Sequence, residues 1–276
     1  MKKANARKRA KNRLIFFLIL AGILVLLGIF APMLTPNDPD ATSAANMNQG
    51  PSAQFPLGTD RYGRCVCSRV LMGARTSIFS AVALVGITFV IGTVLGLFAG
   101  WYGGAVDTVI MRLADVMLAF PQMVLAIAVA GILGGGMGNA MLAMGITGWT
   151  LYARLARAQV LAMKEDPYVH AARLTGCSGW TIMTRTLLPN LLGPMLVTAA
   201  TQIGVMMIGI AGLSFLGIGV SEPQAEWGSM INTSRAYLQL APWAVLAPAI
   251  ATIVTVMIFN YLGDCVRDVL DVGVER

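Results

Sequence analysis

Residues 14–33 read LIFFLILAGILVLLGIFAPM, twenty positions without a charge or a side-chain hydrogen-bonding group. A helix needs about 20 such residues to cross the hydrocarbon core, where every backbone N–H and C=O must find its partner inside the protein. The run therefore commits the chain to a bilayer. It is longer than the about 7–15 apolar residues of a secretory signal, and further apolar runs follow, so it reads as an anchor, although Ser43, Ala44 and Ala45 offer small residues downstream.

Directly before this run stand Lys2, Lys3, Arg7, Lys8, Arg9, Lys11 and Arg13. Basic residues flanking a first span are retained on the cytoplasmic side, so residues 1–13 are expected inside the cell. This tail supplies much of the net charge of +7. No basic surface with interleaved aromatics follows it, which argues against a nucleic-acid partner. With 57% hydrophobic and 12% charged residues in 276, the chain has room for one membrane domain and no large soluble one.

Further along, residues 78–101, 112–133, 139–153, 191–216 and 242–262 read as five more spans, giving an all-α membrane protein of six transmembrane helices. The expected division is a cytoplasmic tail (1–13), a first span (14–34) and an external or interfacial polar segment (35–77). A five-helix core (78–262) and a cytoplasmic tail (263–276) holding Asp264, Arg267, Asp268 and Asp271 complete it. In the second span Gly92, Gly96 and Gly100 recur every four residues and stack on one face, the small-residue pattern that lets two helices approach closely. In the third, Asp115 is an ionisable residue inside a span; Arg112, three residues earlier, shares its face, so an ion pair is expected ahead of a transport role. Pro121 predicts a kink, residues 134–138 a tight turn, and Arg154 and Arg157 carry side chains long enough to reach headgroups. Parity places both termini on one side, together with the loop at 164–189. Arg61, Arg64, Arg69 and Arg75 then fall on the outer side against the positive-inside rule, and an interfacial amphipathic helix would accommodate them.

The segment KEDPYVHAARLTGCSGWTIMTRTLLP, residues 164–189, is a long polar interruption with its own start and stop signals. Asp166 suits an N-cap, Pro167 a first helical position, and Gly176 a left-handed C-terminal cap, which leaves a helix over 168–175. Tyr168, His170 and Arg173 lie on it; Ala171 and Ala172 would leave one side bare for another protein, and Pro189 would open the next helix.

Ala171, Ala172, Gly176, Leu188 and Pro189 keep the spacing of the coupling loop of ABC-transporter permeases of the import type, and the segment resembles it. His170 stands where that pattern has Glu, and Thr186 where it has Ile. A second stretch, LGTDRYGRCVCSRVLMGARTS, resembles the motif of one branch, the C-type permease subunit of dipeptide, oligopeptide and nickel importers. Leu57, Gly58, Thr59, Asp60, Gly63, Arg64, Ser68, Arg69, Gly73, Arg75 and Ser77 match it, with Cys65 in place of Asp. Arg112, Asp115, Phe120 and Pro121, the glycine-rich string at 212–219 and Glu226-Trp227-Gly228 are similar to further features of the family. The resemblance implies the type I ABC importer permease fold with a cytoplasmic coupling helix, in the plasma membrane of a bacterium or archaeon. It also implies a heterodimer with a sister permease, two ATPase subunits that bind ATP and Mg, and an external solute-binding protein.

The residues themselves show no catalytic constellation. His170 is the one histidine, and no carboxylate is evidently placed to support it as a catalytic base. Cys65, Cys67, Cys177 and Cys265 do not complete a zinc site and read as free thiols. Lys164 is the only lysine beyond the N-terminal tail and does not sit in a phosphate loop, so ATP is expected on partner chains. The cargo is expected to be a di- or oligopeptide, nickel or a metal–chelator complex; Met206 and Met207 offer soft ligands, though packing is their commoner use. An ion-coupled secondary transporter or channel would need more intramembrane charge than Asp115 supplies. A membrane scaffold without transport is the third reading.

Overall fold

A helix of 33 residues, Lys2–Leu34 (α1), opens the chain in the computed structural model, which describes residues 2–274, with side chains from 8 to 269. The basic tail is thus the first turns of the same helix; the side chains of Lys2, Lys3, Arg7 and Asp271 lie outside the described residues. Most of α1 is bare: Phe16, Ile19, Leu26 and Phe30 are exposed, as lipid-facing side chains must be. Its contact with the next helix is made at Gly28, against Phe79 and the backbone of Arg75.

Val66–Tyr102 (α2) is 37 residues long, about 55 Å at 1.5 Å per residue. It begins twelve residues earlier than the apolar run at 78, so Arg69 and Arg75 lie on the first turns of the same long helix, while Arg61 and Arg64 lie in the loop before it, and no separate amphipathic helix carries them. Met137–Met163 (α5) lies against it. A Cβ on Gly92 would stand 2.3 Å from the Trp149 carbonyl oxygen, one on Gly96 2.3 Å from that of Ala153, and one on Gly100 2.7 Å from Val160 Cβ. The four-residue repeat is therefore a seam along which two backbones touch.

Between them the chain turns back as Gly104–Leu118 (α3) and Gln122–Leu133 (α4), which meet at 86°. The expected single kinked span at 112–133 is thus two helices. Pro121 has no N–H to continue the ladder and takes an extended ψ of 127°, so the break is nearly square. Gly134, Gly135 and Gly136 all have positive φ and form the tight turn into α5.

After Pro167–Leu174 (α6), one helical path runs from Gly179 to Phe215, as Gly179–Ile182 (α7), a π turn at Met183–Leu187, and Leu188–Phe215 (α8). Pro189 stands in the first turn of α8, but the helical path runs into that turn without a break. The wider turn, in which the Leu188 N–H donates to the Met183 carbonyl, accommodates the missing donor and bulky ring while the helix continues. Trp227–Ser234 (α9) and Pro242–Val274 (α10) complete the bundle. There α8 and α10 meet at Gly204, beside Asn260, and at Gly263, beside Thr201.

Among the described residues four helices are long and apolar enough to cross a membrane, or five if the bent α3–α4 pair counts as one. Helix α5 is not among them. Its threonines, glycines and terminal arginines lower its hydropathy, and its buried Ala140, Ala143, Tyr152, Ala153 and Ala156 face protein rather than lipid. Met206 and Met207 are both buried in the main core, so their sulfurs serve packing.

The seam has a direct test. Gly96→Ala places a methyl against backbone and is expected to destabilise the protein by about 1–3 kcal/mol, as overpacked cores do. Gly86→Ala, with nothing within 4 Å, serves as the control. Thermal unfolding in detergent should separate the two; equal midpoints would mean the seam can open.

Candidate functional site

At one end of α2 the polar loop is clasped to the bundle. The Lys164 ammonium donates to the Trp101 carbonyl at 2.9 Å, and the Arg173 guanidinium lies 4.9 Å from the Trp101 ring centroid. Gly179 packs against the other part of the same indole. Helix α6 is held from below by Val169, which is fully buried, and by Ala172; both join a second core of Leu97, Tyr152, Val160, Met183 and Leu187.

Pro167 occupies the first turn of α6, as its missing N–H favours. Asp166 is the N-cap residue, but its side chain makes no cap bond; its backbone carbonyl instead accepts from the N–H groups of Val169 and His170. Gly176 has φ +82°, and the amides of Gly176 and Cys177 donate back to Arg173 and Ala172, the left-handed closure of a helix end. The two alanines do not form one bare face. Being consecutive, they lie about 100° apart on a 3.6-residue helix, so Ala172 faces the core while Ala171 faces outward with Tyr168 and Leu174. Leu174 is 89% exposed, an apolar knob the motif did not draw attention to. Leu188 and Pro189 lie within the continuing helix, with Pro189 exposed. His170 comes within 3.7 Å of Glu165, so a carboxylate is nearby after all, but both are solvent-exposed and beyond hydrogen-bond distance.

Two ion pairs tie α3 to α5 near this end. Asp115 accepts from Arg154 at 2.5 Å rather than from Arg112, which is exposed on α3. Asp107 takes both faces of the Arg157 fork, with Nη2 at 2.6 Å from Oδ2. Helical spacing alone favours the Arg112–Asp115 pair, but α5 lies alongside α3 and brings Arg154 closer; Arg154 and Arg157 reach carboxylates, not headgroups.

At the opposite end of α2 the second motif folds into a compact unit. Asp60 accepts from the backbone of Tyr62 and Arg64 through one oxygen and from the Arg64 guanidinium, at 2.7 Å, through the other. Arg64 reaches on to Glu222 at 3.0 Å. Arg69, only 2% exposed, donates to Asp40 and to the carbonyls of Pro39 and Pro223. Thr59 is enclosed, donating to the Asn46 carbonyl and accepting from the Gln49 N–H. The carbonyl of Thr59 takes the Trp243 indole, whose Nε1 and Cδ1 lie where a Cβ on Gly58 would project. Gly63 has φ +73°, and a Cβ there would meet the Ser43 carbonyl at 2.0 Å, so both backbone angle and space demand glycine. Cys65 precedes α2 but makes no side-chain cap bond, and it is buried.

The same unit recruits the glutamate that follows α8. Glu226 is fully buried and caps α9, accepting from Gly228 and Ser229, while Ser77 of α2 bridges its carboxylate and the Trp227 N–H. Burial pushes the Glu226 carboxyl up, with those backbone donors pulling the other way. At Glu222 burial also disfavours the charge, but the Arg64 guanidinium outweighs it and holds the carboxyl below the usual carboxylate range. Nothing in the sequence signalled that residues 57–77 and 212–228 would interlock, because the joining residues lie about 150 apart. Among the described residues no group of three or more His, Cys, Asp or Glu could hold a metal ion.

Residues 92–276 match the family model of binding-protein-dependent transport system inner membrane components, and residues 7–51 match the N-terminal transmembrane domain of oligopeptide transport permease C. The dipeptide transport system permease protein DppC of Alkalihalophilus pseudofirmus is 40% identical over 95% of this chain and 86% of its own length. The glutathione transport system permease protein GsiD of Pectobacterium atrosepticum is 42% identical over 92% and 86%. The inward-facing MetNI methionine ABC transporter shares the fold, with a TM-score of 0.57 over 74% of this chain and 96% of that one, at 19% identity.

The Arg64–Glu222 contact gives a pH dependence of known sign. A carboxyl held below its ordinary value stabilises the fold above about pH 4.3 and loses that contribution as pH falls through the lower, folded value. Glu222→Gln is therefore expected to melt below the parent in detergent at pH 7, with the gap closing as both are taken to about pH 3. A constant gap would mean that Glu222 acts by packing alone.

Proposed function

This chain belongs to the binding-protein-dependent transport system inner membrane components, and from that premise we propose that it lines half of an ATP-driven import pathway for small peptides. The carrying observation is the 40% identity to a dipeptide permease over 95% of the chain. The glutathione permease adds a second peptide cargo at similar identity. Nickel has the branch resemblance and His170 in place of Glu behind it, but Met206 and Met207, the two soft ligands singled out for it, belong to the main core.

In this reading α1, α2, the broken α3–α4 element, α5, the path from α7 to α8 and α10 make six crossings. Residues 35–65 and the loop around α9 are then outside, and α6 and both termini are in the cytoplasm of a bacterial or archaeal cell. A sister permease completes the pathway, a solute-binding protein delivers cargo to the outer face, and two ATPase subunits bind ATP and Mg. The permease is a transport subunit rather than an enzyme. Helix α6 is the coupling helix: Tyr168, Ala171 and Leu174 face an ATPase groove, while Val169 and Ala172 transmit its displacement to the second core. Such a transition moves rigid bodies, because a packed core shifts as a unit.

Cells lacking this chain and then resupplied with it should lose and regain uptake of labelled dipeptide, with glutathione and nickel measured in parallel. Loss of nickel uptake alone would overturn the peptide reading. Within the coupling helix the two alanines should part company. Ala171→Trp and Leu174→Asp are expected to lower uptake at least tenfold with normal amounts in the membrane and continuing ATP hydrolysis. Ala172→Trp should instead lower the amount of folded protein. Full uptake by Ala171→Trp would remove α6 from the coupling role.

A further inference from the structure

Where α3 breaks from α4, a cavity of about 230 Å³ opens against α5 and α8. Its wall includes Phe120, Gln122, Thr147, Thr150, Gln202 and Met206. Both glutamines are half-buried, and neither side-chain amide makes a hydrogen bond among the described residues. Such an amide carries two donors and two acceptor sites. Polar groups in membrane spans face protein or a water-filled space, since leaving them unpaired in lipid is costly. The hydroxyl of Thr147 donates to Met144 at 3.2 Å and that of Thr150 to Thr147 at 2.8 Å, so their oxygens remain able to accept.

We propose that Gln122 and Gln202 form an amide-reading wall of the translocation path, pairing transiently with the main-chain N–H and C=O groups of a passing peptide. The assignment rests on the peptide-import reading above. The wall is neutral: its lining holds no carboxylate or cation to select a charged solute, and its two thioethers, Met117 and Met206, stand without an imidazole, thiolate or carboxylate to complete a metal site. Amide pairing suits a peptide bond, which offers one donor and one acceptor whatever its side chains. It is also weak enough to release what it binds, as any conducting site must. The volume falls below the roughly 300 Å³ at which closed ligand pockets begin. One permease thus supplies a wall, and the facing sister subunit closes the site.

The test uses the complete transporter. Gln122→Leu with Gln202→Leu keeps side-chain bulk and helix propensity while removing both amides. Uptake of labelled dipeptide is expected to fall about tenfold, the effect of losing two ordinary hydrogen bonds, with unchanged membrane levels and ATPase rate. Independently, Gln122→Cys and Gln202→Cys, in a background with Cys67→Ser and Cys177→Ser, should react with a small hydrophilic thiol reagent. Dipeptide, delivered by the binding protein with ATP, should slow that reaction. Parent-like uptake by the double variant, unreactive cysteines or labelling indifferent to peptide would each overturn the assignment. If the double variant does not assemble, the cysteine protection decides. A parent complex that moves another solute but no dipeptide would instead refute the peptide reading itself, and this inference with it.

Discussion

Contact between the backbones of α2 and α5 sets the distance on which the rest of the bundle depends. In lipid there is no hydrophobic gain from bringing two apolar helices together, so association rests on close van der Waals contact and on paired polar groups. Gly92, Gly96 and Gly100 provide the first, over just more than two turns. Arg154 and Arg157 on the same α5 provide the second by reaching α3. Because α2 is a single rod of about 55 Å, fixing α5 on it also fixes what lies at each end. Trp101 holds the polar loop at one end, and Ser77 and Arg69 hold the interlocked unit of residues 57–77 and 212–228 towards the other.

The unit at residues 57–77 also bears on the arginines that the sequence places against the expected topology. Free arginines on the external flank of a span would oppose the positive-inside tendency. Arg64 and Arg69 are not free: three carboxylates and two carbonyls surround them, and Arg61 lies 4.4 Å from the Tyr62 ring centroid. Buried ion pairs of this kind are weak sources of net stability, because desolvation offsets the attraction. Their use here is geometric: each guanidinium is a fork that fixes the angle between segments distant in sequence.

What could be read from the sequence was local or periodic. The glycine repeat, the Pro167 and Gly176 boundaries and the first anchor depend on spacing within one element. Long-range choices were not legible. Asp115 had a helical neighbour in Arg112, and only the placement of α5 reveals Arg154 as its partner. The split between Ala171 and Ala172 was in principle available, since consecutive helical residues point about 100° apart and Val169 shares the face of Ala172 at a spacing of three. Helix α5 shows the limit of hydropathy: its buried face is made of alanine, glycine and threonine that allow close approach to α2, and these lower its mean hydropathy although Leu142 and Leu151 remain exposed. Pro189 does stand in the first turn of α8, but the π turn before it carries the helical path through without the break that the proline suggests.

The second core determines how a push on α6 would be distributed. Val169 contacts a cluster drawn from α2, α5, the π turn and the start of α8, through Leu97, Tyr152, Met183 and Leu191. A displacement of α6 therefore cannot be taken up by one side chain at normal packing density. The elements that can yield are those with little behind them. The α3–α4 break is the clearest, with Phe120 and Val124 exposed and a cavity on its inner side. Tight packing thus lies on the α6 side, and the square joint with its cavity on the other, so the two ends of any such displacement differ in how much contact they would have to break.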